Sequence, residues 1–225
     1  MLRRGTFSLL AVTLLLSTLI RGQSGEEAAA APIANPRNVT VPQLLPRDQE
    51  IALALSASPA NLRDRAGVYA LEKHGFVKVR DSKNGFTCIV NRDHPLSLKP
   101  TCYDAEGTAT ILPKVLRVGE LLMQGKPLDE IRAEIAEGFR SRKYVSPRRP
   151  GVAYMLSREI RNFNSRTGKL ESFPPHVMFY APNLTNEDIG SQGDFAEGLP
   201  SIGYQGPQGF MIVTLPGYKH SQGGQ

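Results

Sequence analysis

Tryptophan is absent from this sequence, cysteine occurs only at Cys88 and Cys102, and the four histidines are scattered. With so few thiols and imidazoles, no zinc-spaced Cys/His set can be drawn. Neither HExxH, a phosphate-cradling glycine loop nor a Ser-His-Asp order is present, which narrows the familiar enzyme classes without deciding whether the chain is an enzyme. Long apolar runs are also missing. The longest, Phe7 to Ile20, spans 14 residues, short of the ~20 that a helix needs to cross a bilayer core, so no permanent membrane anchor is expected.

What that run does resemble in layout is an export signal: a positive head at Arg3 and Arg4, then an apolar core. Residues 1–21 are read as a signal peptide, and the chain as an exported, soluble, periplasmic or secreted protein. The segment takes three of the 27 basic residues and none of the 21 acidic ones, so the formal charge falls from +6 to +3. So small an excess does not point to a nucleic-acid partner, which calls for a concentrated basic face. In an oxidising compartment Cys88 and Cys102 most simply form one disulfide.

Residues 22–45 are rich in alanine, proline and small polar groups, and read as a tether. The remaining stretch, 46–225, suits a single domain able to bury a core. Pro46, with Asp48 and Glu50 behind it, predicts a helix start, and Ser58-Pro59 its end. Residues 67–72, 76–80 and 86–91 have strand character and turn-forming separators, predicting an antiparallel meander. Pro113 and Pro127 mark two helix starts with Gly125 as a stop between them. In the second of these helices Leu128, Ile131, Ile135 and Phe139 share one face. Three more strands are expected at 152–156, 176–181 and 210–215. Strands, then helices, then strands predict an α+β fold, a largely antiparallel sheet with helices packed on one face.

Three groups of residues could carry function. In the run Phe173 to Pro182, strand alternation places His176, Met178 and Tyr180 on one face and Val177 and Phe179 on the other. An imidazole and a thioether so spaced suit a soft metal ion, although a core strand with a hydrogen-bonded histidine satisfies the same pattern. Asp104 and Glu106, beside Tyr103, form an acidic turn that could bind a hard cation or act as acid and base with His176. No cofactor is evident beyond such a possible metal. The basic stretch Arg140, Arg142, Lys143, Arg148 and Arg149, with Tyr144 inside it, could hold an anionic envelope component, with Arg148 and Arg149 the foremost candidates.

The runs NGFTCIV (84–90), CYDAEG (102–107), AYMLS (153–157) and PPHVMFYAP (174–182) together resemble a group of exported bacterial hypothetical proteins of unestablished function. The resemblance implies an envelope or secreted location and carries no activity. Three readings follow. A non-catalytic binding protein would hold a small ligand or peptide in a pocket of Tyr103, Tyr154, His176 and Tyr180. A metal-dependent hydrolase would use Asp104, Glu106 and His176. An envelope interaction protein would use the basic segment near Arg148. We rank them in that order.

Overall fold

The computed structural model describes residues 40–193 and 198–217; the expected export signal and most of the tether lie outside the described residues. Helix α1 (Arg47–Ser56) begins directly after Pro46, its N-cap, with Asp48 and Glu50 in the first turn, where carboxylates meet the positive end of the helix dipole. Pro59 then caps a single further turn, α2 (Ala60–Arg63).

Strands β1 (Gly67–Glu72) and β2 (Gly75–Arg80) form a hairpin. Its turn closes on Gly75 at φ 125°, a conformation open to glycine. Next come β3 (Thr87–Asn91), β4 (Lys99–Tyr103) and three helices, α3 (Ala105–Thr110), α4 (Leu112–Met123) and α5 (Leu128–Arg140). Gly125, at φ 70°, closes α4, and Pro127 caps α5. The chain ends with β5 (Val152–Met155), a separate small hairpin of β6 (Asn162–Asn164) and β7 (Lys169–Glu171), then β8 (His176–Tyr180), β9 (Ser201–Tyr204) and β10 (Phe210–Thr214).

Eight strands form one sheet in the order β2-β1-β3-β4-β5-β8-β10-β9. The fold is thus α+β with a large, mostly antiparallel sheet. The expected meander fails at one place: β3 pairs parallel to β1, with Val68 opposite Cys88. β2 is as long as β1 and returns the chain to the beginning of β1. There residues 81–86 cross to β1's far side, held by Lys83 N–H on Arg65 O (2.7 Å) and Gly67 N–H on Phe86 O (2.8 Å).

Helices meet the sheet from both sides rather than forming a single layer. Cys88, Val90 and Cys102 pack with Leu53, Ala54 and Ala57 of the α1 region. Ile89 and Tyr103, pointing the other way, pack with Ile111, Leu112 and Val115 around α4. β3 is therefore covered on both faces, which is why it reads as a continuous apolar run instead of an alternating one. Cys88 and Cys102 are direct cross-strand partners and are joined by the expected disulfide.

A buried ion pair fastens α1 to the end of β3. Arg92 Nη1 and Nη2 each lie 2.8 Å from one carboxylate oxygen of Glu50, and Nη1 also donates to Val90 O. Arg92 and Glu50 are 0% and 1% exposed. The two-pronged geometry offsets the several kcal/mol that desolvating each ion costs.

Candidate functional site

The acidic run after Cys102 is a strand-to-helix junction, not a free turn. Tyr103 ends β4, Asp104 has extended backbone angles, and Ala105 opens α3. Asp104 is the helix N-cap: Oδ1 accepts the Gly107 N–H at 2.9 Å, satisfying one of the donors that a helix start leaves without a partner. Its other oxygen accepts the Val152 N–H at 2.8 Å, which ties the start of β5 to α3. The Tyr180 hydroxyl reaches the same carboxylate, 2.7 Å from Oδ1, and stands 3.0 Å from Val152 O. Burial and the facing carboxylate both push the Tyr180 phenol well above its ordinary range.

Two glycines make room for this knot. A Cβ at Gly107 would strike the Tyr180 hydroxyl, and one at Gly151 would strike Asp104 Oδ2 and the Tyr180 ring. Neither glycine was singled out from the sequence. The available signal was an Asp followed by helix-forming residues, an N-cap pattern, with a glycine three positions on.

Glu106 is equally engaged. It accepts the Arg148 N–H at 2.7 Å and pairs with Arg149 Nε at 3.2 Å, and these contacts, led by the Arg148 amide, hold its carboxyl below the usual range. Of the candidate anion-binding pair, Arg149 faces Glu106 with its guanidinium, whereas Arg148 meets it through its backbone N–H alone. Both arginines remain exposed.

His176, Met178 and Tyr180 do share a face of β8 and are buried, while Val177 and Phe179 turn to the other side. His176 is 5% exposed, with Nδ1 2.8 Å from Pro174 O. Its burial lowers the pKa of the ring. Four residues along a strand separate it from Tyr180, about 13 Å, so the imidazole sits at one end of β8 and the Asp104 knot at the other. Among the described residues no three His, Cys, Asp or Glu side chains gather as a metal ion requires. Asp104, Glu106 and His176 are thus not brought together as a ligand set, while Met178 stays next to His176 on the same face of β8.

The expected pocket of tyrosines is divided by the sheet. Tyr103 and Tyr180 pack in the core on the α4 side. Tyr154 packs on the α1 side, 6.0 Å from the Phe86 ring.

Concave surface occurs elsewhere. A cleft of about 490 Å3 lies between the β1–β2 turn, α4 and the end of the α5 connection, lined among others by His74, Phe76, Arg117, Glu120, Lys143 and Tyr144. Gly119 lets the Phe76 ring approach α4 closely. Arg117 crosses between the helices, 2.6 Å from Glu134 and 2.7 Å from Glu120. Lys143 Nζ stands 5.6 Å from the Tyr144 ring centre, and the buried Tyr144 hydroxyl has no hydrogen-bond partner among the described residues. A second, more apolar cleft of about 430 Å3 is lined by Leu44, Leu45, Leu71 and Val77, with Arg47, Glu72, Lys73 and His74 at its margin. Lys143 and Tyr144 belong to the basic stretch marked in the sequence, but the partners that complete the first cleft come from distant segments. No helix among the described residues is long and apolar enough to cross a membrane. No protein family's profile matches the chain, no curated protein is significantly similar to it, and no solved structure matches its fold.

Proposed function

We propose that the mature chain is a non-catalytic binding protein of the bacterial envelope, exported by its amino-terminal signal, and that it takes a small ligand or peptide in the cleft between α4 and the β1–β2 turn. The carrying observation is a contrast in polar satisfaction. Asp104 spends its carboxylate on Gly107, Val152 and Tyr180, Glu106 spends its own on Arg148 and Arg149, and His176 is buried against Pro174. Groups so engaged hold a fold together. The cleft instead combines an aromatic wall, Phe76, with the exposed side chains of His74 and Lys143, which enter no ion pair among the described residues, the mixture of apolar surface and a few polar groups common to ligand sites. The buried Cys88–Cys102 disulfide supports an oxidising compartment.

The experiment is a thermal-shift screen of the purified mature protein against amino acids, short peptides and small carboxylates, with native mass spectrometry for co-purified ligands. A hit should lose its stabilisation in Lys143→Glu and His74→Ala and keep it in Arg149→Ala. Hits indifferent to both cleft variants would refute this location.

A further inference from the structure

The two clefts flank one strand. Phe76 lines the first and Val77 the second, and neighbouring residues of a strand point to opposite faces. Phe76 packs with the core on the α4 side, whereas Val79, which shares a face with Val77, packs on the α1 side. The strand between them, β2, is the terminal strand of the eight and pairs only with β1. An unpaired edge offers a row of backbone donors and acceptors to an incoming chain.

Resting on the binding reading above, we infer that the ligand is an extended acidic peptide segment that adds as a further strand along β2. A strand added at ~4.8 Å sends alternate side chains to opposite faces. One set would meet the apolar cleft, where Val77 and Leu44 are 42% and 36% exposed. The other set would meet the cleft containing Lys143, Arg117 and His74. Charge selects the partner. The clefts and β2 carry Arg47, Lys73, Lys78, Arg80, Arg117 and Lys143, six cations. Four carboxylates face or pair with them, Glu72, Glu120, Asp81 and Glu134, so two positive charges are in excess over the edge as a whole; in the cleft on the α4 side Glu120 and Glu134 both answer Arg117, and Lys143 is the cation left outside any ion pair among the described residues. A second copy of the chain pairing through the same edge would bring one basic strand against another, which like-charge repulsion disfavours.

The probe is a fluorescein-labelled, end-blocked peptide of four Val-Glu repeats, whose acidic and apolar side chains fall on opposite faces when extended. Anisotropy with the mature protein should show binding that weakens with added salt. A Val-Lys counterpart should not bind. Hydrogen exchange of the complex should slow at Gly75–Arg80 ahead of other segments. Lys143→Glu and Val77→Glu alter exposed side chains, and each should weaken binding about five- to tenfold with unchanged circular dichroism. Equal binding of the Val-Lys peptide, or exchange protection away from β2, overturns the inference. If the Val-Glu peptide fails while a small molecule stabilises the protein through Lys143, strand addition is wrong and the cleft reading stands. Failure of both probes removes both.

Discussion

The Tyr180 hydroxyl and the Asp104 carboxylate, 76 positions apart in sequence, meet at 2.7 Å, and through Asp104 the last third of the sheet is tied to the start of α3. A hydrogen bond to a charged group contributes about 1.5–3 kcal/mol. Tyr180→Phe should therefore lower stability by that amount in urea unfolding. Asp104→Ala should cost more, because it also strips the Gly107 and Val152 amides of their acceptor. Gly107→Ala should rank with Asp104→Ala despite its small size, since the added methyl displaces the Tyr180 hydroxyl. A Tyr180→Phe variant as stable as the parent would show that this knot is not under load.

The buried pair of Glu50 and Arg92 makes a different prediction, because its members are worth little separately and leave a bare charge when parted. Removing one partner of such a pair typically costs about 3–5 kcal/mol. Arg92→Met and Glu50→Leu should each fall in that range, and the double variant should recover most of the loss. Additive losses in the double-variant cycle would mean that the pair is solvated.

How much of this was legible beforehand follows from the range of each interaction. The start of α1 at Pro46, the helix after Pro127 and the inward face of His176, Met178 and Tyr180 rest on neighbours within a turn or a strand, and the structure has them. The strand β4 was not anticipated, because Lys99–Tyr103 carries a proline at its second position, and proline lowers the expectation of a central strand. The parallel β1–β3 pair and the two-sided helix packing depend on where a loop crosses, which no local pattern encodes. At the site the failure has the same origin. Asp104 and Glu106 stood out as acids, but the groups that donate to them from elsewhere in the fold, Tyr180, Val152 and Arg149, lie at least 43 positions away. The Glu50–Arg92 pair, 42 positions apart, escaped notice for the same reason.

The disulfide joins neighbouring strands at a sequence separation of 14, and a loop of that size constrains the unfolded chain by ~3 kcal/mol. Protein produced in a reducing cytoplasm, or as Cys88→Ala with Cys102→Ala, should unfold at correspondingly lower urea with a larger m-value, because the freed denatured chain exposes more surface. An unchanged midpoint on reduction would remove the disulfide from the stability of the fold and, with it, one support for an oxidising compartment.

Acid should act on the core through His176. Its ring is 5% exposed and desolvation lowers its folded-state pKa from 6.5, the hydrogen bond to Pro174 only partly opposing this. Above pH 6.5 the imidazole is neutral in both folded and unfolded chains, and the stability it permits is fully present. As pH falls below 6.5 the unfolded chain takes up its proton first, so stability declines until the folded-state pKa is reached and then levels off for this group. In His176→Asn an amide N–H can stand in for Nδ1–H toward Pro174 O, with no charge to bury. The variant should therefore lose stability less steeply than the parent between pH 6.5 and the folded pKa, while matching its slope above pH 7. Proton NMR of the ring, followed through the same range, locates the folded pKa directly. A value at or above 6.5, or parallel stability curves for parent and variant, would place His176 in contact with solvent and return the imidazole to the list of groups available for chemistry.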